Sequence, residues 1–336
     1  MRTLSGDVPA DVMAAAALLR AGQLVAFPTE TVYGLGGNGL DETVVQRIFA
    51  AKGRPQDNPV ILHVASFEAA LPLWAPSPGQ LAHAQRCAEA LWPGPLTLVL
   101  PASPDVPPAV TAGLRSVGVR VPKHPVALAL LRSVALPIAA PSANRSGRPS
   151  PTTAAHVLRT LDKDVAAVVD GGATEVGLES TVLDLTRDVP TVLRPGGVSI
   201  DELRALLGDV AWLGRGDVPE EAASPGLRHR HYAPAIAAVQ LAPLDACADA
   251  WLQDHALLML ESSAASLQRE FGPRAAPLVC LPDEPEAYGR GLYDALYRLE
   301  ETAAAHLMIE APPRGEGWRA VQDRVRRAAG DPQEFE

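Results

Sequence analysis

FPTETVYGLGGNGLDETVVQRIFAAKGRPQDNPVILH, residues 27–63, passes from a strand end through a polar turn, a run of glycines and a helix to a second strand. The apolar run Gln23 to Phe27 predicts a buried strand, which breaks at Pro28 into a turn of hydroxyls and one carboxylate, Thr29-Glu30-Thr31. Tyr33 follows, and then four glycines between Gly34 and Gly39. Asp41 is a natural N-cap, and Val44, Val45, Ile48 and Phe49 recur at helical spacing until Gly53 ends the helix. Lys52-Gly53-Arg54-Pro55 then leads into a strand over 60–64. Two cations thus sit on a short connection between packed elements, where binding residues concentrate.

Outward from this stretch the pattern stays α/β. Helices are expected over 7–21, 68–74, 80–91, 125–133, 153–161 and 200–207, with strands over 96–100, 117–121, 138–140, 166–170, about 182 and about 192. Trp92-Pro93-Gly94-Pro95 reads as a simple helix stop. From 208 to 235 periodicity vanishes, although SPGLRHRHYAP at 224–234 is too rich in cations, His and Tyr for a passive tether. Past it strands (236–241, 256–260, 277–281, 306–310) alternate with helices (244–253, 264–271, 286–303, 317–329), which implies a small parallel sheet flanked by helices. The expected division is a mixed-sheet domain over 1–210, a linker over 211–235 and a Rossmann-like parallel α/β domain over 236–336.

The chain has 336 residues, 47% hydrophobic and 4% aromatic, as expected for globular domains with cores of Ala, Val and Leu. Its net charge of −10 is uneven: residues 1–215 hold 18 Lys and Arg against 19 Asp and Glu, and the remainder 11 against 20. A surface that gripped nucleic acid along its whole length would be basic. No apolar run reaches membrane-spanning length and the N-terminus has no signal-peptide core, so a soluble cytoplasmic protein is expected. Cys87, Cys247 and Cys280 lack metal-ligand spacing, and no metal-binding residues are expected.

Gly34-Leu35-Gly36-Gly37-Asn38-Gly39 matches the dinucleotide fingerprint G-x-G-x-x-G, but Pro28 to Tyr33 separate it from its strand, so the expectation is a flexible loop passing near a ligand or another strand. No P-loop occurs. Lys52 and Arg54 read equally well as solvated charges at a helix end. Arg120, Arg145, Arg148 and Arg194, each at a strand end or in a loop of small residues, tip the reading toward an anion pocket. His63 alone reads as a core histidine. No Ser, His and acid group suggests a triad, which favours chemistry by positioning and charge neutralisation.

Taken in order, PTETVYGLG at 28–36, Lys52-x-Arg54 with Asn58-Pro59, WPGPLT at 92–97, VGVRVPKHP at 117–125, SAN-x-SG-x-PSPT at 142–152, ESTV at 179–182, LRPG at 193–196 and SPGLRHRHYAP resemble the YrdC/Sua5 family of threonylcarbamoyl-AMP synthases, in its two-domain form. The resemblance implies a YrdC-like twisted mixed sheet with a deep, positively charged cavity. It also implies synthesis of threonylcarbamoyl-adenylate and pyrophosphate from L-threonine, bicarbonate and ATP with Mg²⁺, feeding the threonylcarbamoyl-transfer machinery that acts on position 37 of tRNA. By motif position Thr31, His63, Arg120, Ala140 and Ser180 resemble the threonine pocket. Arg54, Asn58, Ser116, Ser142, Ser150 and Arg194 resemble ATP contacts, with Lys52 and Asn144 in the same signature and Tyr232 folding over the nucleotide. Lys52 and Arg54 are the expected catalytic cations, offsetting charge on the departing pyrophosphate. Arg115 departs from the family pattern, where an acidic residue is more frequent. An RNA-binding module and a carbamoyltransferase of related fold are the alternatives.

Overall fold

The computed structural model describes residues 1–161, 165–213, 232–241 and 255–329. They form two compact units: one holds residues 1–146 and the described chain from Pro151 to 213, and the other holds Gly147–Ser150 with the described chain from Tyr232 onward. The helix expected over 244–253 and most of the 211–235 linker lie outside the described residues.

In the first unit the elements follow as β1 (Arg2–Ser5), α1 (Pro9–Arg20), β2 (Val25–Phe27), β3 (Gly34–Asn38), α2 (Glu42–Lys52), β4 (Leu62–His63) and α3 (Phe67–Ala70). A 3₁₀ turn (Leu71–Leu73), α4 (Pro78–Leu91), β5 (Leu96–Pro101), α5 (Pro108–Thr111), β6 (Ser116–Arg120), α6 (Pro125–Val134) and β7 (Ile138–Ala139) come next. The unit ends with α7 (Ala154–Thr160), β8 (Ala167–Asp170), β9 (Thr181–Asp184), β10 (Thr191–Arg194), α8 (Ile200–Leu207) and β11 (Ala211–Trp212). The strands join in one mixed sheet, ordered β1-β8-β2-β3-β7-β4-β6-β5-β9-β10-β11.

Side chains alternate between the faces of a strand, so the two faces can be sorted residue by residue. Leu62, Leu96, Leu98, Val117 and Val119 point to one core, which Val44, Val45 and Ile48 of α2 and residues of α4, α7 and α8 complete. On the other face Leu4, Val25, Phe27, Ile138 and Val169 pack under α1 and α6. Further along that face Val99, Val182 and Leu193 make a smaller apolar patch. Alternation puts His63, Thr97 and Arg120 on the second face, between the two apolar patches. The sheet therefore carries a polar interval where neither cluster covers it.

The stretch at Gly34–Gly39 differs from the loop expected of it. Gly34–Asn38 is β3, a strand inside the sheet, paired antiparallel with β2 (Ala26 opposite Leu35) and with β7 (Gly37 opposite Ala139). The glycines are there for space: a Cβ at Gly37 would lie 2.6 Å from Val44 Cγ1 and 3.0 Å from Leu24 Cδ2. α2 starts only at Glu42, where the Asp41 carboxylate accepts hydrogen bonds from Thr43 N at 2.9 Å and Val44 N at 3.3 Å. That cap contributes about 1 kcal/mol and sets the point from which α2 delivers Lys52.

The second unit contains β12 (Ala237–Leu241), β13 (Ala256–Leu260), α9 (Glu261–Phe271), β14 (Leu278–Leu281), α10 (Pro285–Glu300), β15 (His306–Glu310) and α11 (Arg319–Ala328). All pairings in its sheet are parallel, in the order β12-β15-β13-β14. This matches the strand and helix alternation of the sequence.

Because Val44 is β-branched and held by its own helix, Gly37→Ala cannot be absorbed by a side-chain rotation alone. We expect it to lower unfolding stability by about 1–3 kcal/mol, measured by urea titration followed by circular dichroism.

Candidate active site

The polar interval is organised around the turn at 28–33. Thr29 Oγ1 donates to Val32 O at 2.6 Å, so its proton is committed and the 2.8 Å contact to Thr31 Oγ1 must be donated by Thr31. Thr31 Oγ1 in turn accepts from Arg120 Nη1 at 2.9 Å. Arg120 Nε donates to Gly94 O at 3.1 Å, and Nη2 lies 2.7 Å from Glu30 Oε1 in a pair exposed by only 4% and 2%. That pair is close but not aligned as a hydrogen bond, which leaves Nη2 and Oε1 hydrogen-bonding capacity. Glu30 Oε2 accepts from Lys123 N at 2.9 Å. Burial works against the Glu30 charge, but Arg120 and these hydrogen bonds outweigh it and hold the carboxyl below its usual range.

His63 is the lateral neighbour of Arg120, paired with it across β4 and β6. It is buried, with its ring edge-on to Phe27, and its Nδ1 has no hydrogen-bond partner among the described residues. Burial first, and the Arg120 charge second, push its pKa down to about 3. It is a neutral imidazole beside a guanidinium, with Nδ1 unpaired among the described residues.

The register Leu98↔Val119 puts Thr97 of β5 beside Arg120. Thr97 Oγ1 and Ser180 Oγ are 2.8 Å apart, and Arg194 reaches Ser180 O from Nε at 3.2 Å and from Nη2 at 3.0 Å. The backbone after Arg194 passes so close that a Cβ at Gly196 would fall 2.3 Å from Glu179 O and 2.4 Å from Thr181 N. Only glycine permits that approach.

A third group adjoins the same turn, through hydrogen bonds from Leu35 N to Pro141 O at 2.7 Å and from Ala143 N to Tyr33 O at 2.8 Å. Lys52, 2% exposed, donates from Nζ to Ser142 O and, at 2.5 Å, to Asn144 O. Burial, and then the charge of Arg54, hold this ammonium well below its ordinary pKa. Arg54 donates to Asn58 O at 3.1 Å and to Pro59 O at 2.9 Å, with its guanidinium carbon 5.9 Å from the Phe49 ring centre. Neither cation is the solvated helix-end charge that was one reading of the sequence; both shape backbone.

The remaining expected residues fall as follows. Ala140 is buried and donates its N–H to Ile61 O at 3.0 Å. Ser116 is half-buried at the start of β6, on the face of Arg120 with only Gly118 between them, while Arg115 is exposed. Ser150 and Tyr232 belong to the second unit, where both are buried. Three participants lacked an assigned role in the sequence reading: Glu30, Thr97 and Gly94. Glu30 was visible as a lone carboxylate in a hydroxyl turn. The WPGP segment is more than a helix stop, since Gly94 O holds Arg120 and Pro95 O accepts from Thr181 N at 3.0 Å.

Such an arrangement, with buried guanidinium groups beside hydroxyls and a neutral imidazole, suits an anionic ligand that also carries a small polar group. Two outcomes follow from its geometry. The folded-state pKa of His63 lies below the ordinary value of about 6.5, so folding loses stability as pH falls from about 6.5 toward 3 and nothing above it. His63→Phe should remove about 2 kcal/mol of the stability difference between pH 6.5 and pH 5, measured by urea unfolding at the two pH values. Gly196→Ala should displace residues 179–181 and cost at least about 2 kcal/mol, read from its melting curve.

A family model described as telomere recombination, covering Sua5, YciO and YrdC proteins, matches residues 17–196. A second, described as the threonylcarbamoyl-AMP synthase C-terminal domain, matches residues 198–330. Threonylcarbamoyl-AMP synthase of Bacillus subtilis is 42% identical, covering 94% of this chain and 92% of that protein. Its counterpart from Pyrococcus abyssi is also 42% identical, covering 94% and 93%. The crystal structure of P. abyssi Sua5 complexed with L-threonine superposes with a TM-score of 0.87 at 39% identity, covering 98% of this chain and 97% of that one. The chain belongs to the two-domain Sua5 family, the threonylcarbamoyl-AMP synthases.

Proposed function

We propose that this chain is an L-threonylcarbamoyladenylate synthase, which joins L-threonine, bicarbonate and ATP into threonylcarbamoyl-AMP with release of pyrophosphate. The observation that carries the reading is the buried Arg120, with Thr31 and His63 beside it, in a chain similar along 94% of its length to curated synthases. A likeness of 39% identity to a structure complexed with L-threonine supports the amino-acid substrate.

The residues divide the task. Arg120 spends Nε on Gly94 O and one Nη1 proton on Thr31, which leaves guanidinium protons for the threonine carboxylate. Neutral His63 presents Nδ1 to a threonine hydroxyl or amine, and with a pKa of about 3 it binds without carrying charge. The free amine adds to bicarbonate-derived carbon, water leaves, and a carbamate forms. A carbamate oxygen then attacks the α-phosphorus of ATP as the bond to the β-phosphate oxygen breaks. Arg54, Asn58, Ser116, Ser142, Asn144, Ser150, Arg194 and Tyr232 are assigned to the nucleotide. Lys52 and Arg54 are assigned to the charge that builds on pyrophosphate.

Mg²⁺ is assigned to the substrate, as MgATP. As a small cation that keeps several waters and takes its other oxygens from substrate phosphates, the ion would come and leave with the nucleotide. Among the described residues no helix is long and apolar enough to cross a membrane. The proposed setting is the cytoplasm, where the product would pass to the machinery that transfers threonylcarbamoyl to tRNA.

The test is pyrophosphate release from ATP and bicarbonate with L-threonine, L-serine or no amino acid. Release that depends on threonine is expected, and release independent of amino acid would overturn the reading. Arg120→Lys keeps the charge that Glu30 needs but loses the fork, and should raise KM for threonine about 30-fold or more with little change for ATP. Arg54→Ala should do the reverse.

A further inference from the structure

Within the second unit one face of α10 holds two separate stretches of chain. Tyr293, Tyr297 and Glu300 follow at spacings of four and three, so they line up along one side of the helix. Tyr297, 1% exposed, donates its hydroxyl to Pro149 O at 2.8 Å. Glu300 divides its carboxylate, which is 4% exposed: Oε2 takes Arg148 Nη2 at 2.7 Å and Oε1 takes Ala235 N at 2.8 Å. Between the two stretches Ala233 N donates to Gly147 O at 2.8 Å. Tyr232, at the end of the same stretch, has its ring 5.5 Å from that of Tyr293, with the Arg324 guanidinium 5.5 Å over it. Its φ of +64° is unusual for a bulky residue and persists only where surroundings fix it.

The segment Gly147–Ser150 interrupts the chain between Ser142–Asn144 and α7, and Tyr232–Ala235 closes the linker that began at 211. Both contain a residue assigned above to the nucleotide, Ser150 and Tyr232. We propose that the face of α10 is a latch and that Glu300 and Tyr297 are positioning residues for the nucleotide subsite. They hold the 147–150 segment and the end of the linker in one fixed arrangement, so that Ser150 and Tyr232 are ordered together before ATP arrives. One carboxylate gripping both stretches makes their ordering a joint event: release of Arg148 leaves the grip on Ala235 weaker, and the reverse. Preorganisation of this kind lowers the entropic cost of binding the nucleotide without touching the amino acid. This rests on the synthase reading.

The experiment compares full-length wild type with Glu300→Ala, Glu300→Gln, Tyr297→Phe, Arg148→Ala and the Arg148→Ala/Glu300→Ala double variant. KM for ATP and for L-threonine comes from pyrophosphate release, and backbone amide exchange is followed by mass spectrometry. Glu300→Ala should raise KM for ATP about tenfold while KM for threonine stays within about twofold. Glu300→Gln, which can still accept from Ala235 N, and Tyr297→Phe, which removes a single oxygen, should fall between. The double variant should be no worse than Glu300→Ala to within about twofold. Exchange should quicken in peptides over 145–152 and 232–238 and stay unchanged in β13, β14 and β15. The proposal fails if both KM values rise together, if KM for ATP is unaffected, or if exchange quickens throughout the second unit. Wild type without threonine-dependent release would instead overturn the synthase reading, and the exchange result would still decide whether the latch exists.

Discussion

Arg120 and Glu30 bring opposite charges into a part of the sheet where neither is more than 4% exposed. Taking two such groups out of water costs several kcal/mol each, and a mutual attraction repays this only when the other polar atoms are also engaged. Here they are: Gly94 O and Thr31 Oγ1 accept from the guanidinium, and Lys123 N donates to the carboxylate. Each partner comes from a different motif, at 28–31, 92–95 and 120–123. The pair therefore requires β6, the turn after β2 and the segment before β5 to meet in one place. Its energetic worth lies in specifying that meeting, since a pair of apolar residues of similar volume would stabilise a fold as well.

The surrounding architecture makes the interval possible. The first apolar core covers one face of the sheet, while the second face has α1 and α6 at one end and the patch of Val99, Val182 and Leu193 at the other. Burying each aliphatic side chain in these cores contributes about 1.5–3 kcal/mol, and the charged centre is carried at their expense. Glycine allows the close packing on both sides: Gly37 lets α2 approach β3, and Gly196 lets the backbone after Arg194 run against Glu179–Thr181. Both are spacing devices, which explains why a nucleotide fingerprint over Gly34–Gly39 leads nowhere.

The cations of the site work as struts as well as charges. Lys52 ties the end of α2 to the carbonyls of Ser142 and Asn144, and Arg54 ties its loop to Asn58 and Pro59. A charge already held by backbone oxygens needs no reorganisation when an anion comes near. His63 follows the same logic with the opposite charge state, since burial and Arg120 keep its ring neutral. In the second unit Glu300 extends the pattern, with one buried carboxylate shared between two stretches of chain.

The α/β class, the helix from Asp41 to Gly53, the parallel alternation of the C-terminal unit and, through ordered motifs, the family are all legible in the residues alone. Periodicity, caps and turn residues are local signals, and local physics is enough to read them. The sequence also marked Thr31, Arg120, Ser180 and Arg194 as residues to watch. Tertiary structure alone decided that Gly34–Asn38 is an inner strand, because the demand for glycine there comes from Val44 and Phe27, distant in type and direction from any turn signal. It decided too that Glu30 partners Arg120, that Thr97 adjoins Ser180, and that Gly147–Ser150 belongs with residues beyond 231. Those relations join positions from about 80 to 150 residues apart. No spacing rule reports such a pairing, because only the packed sheet and helix bring the partners within reach.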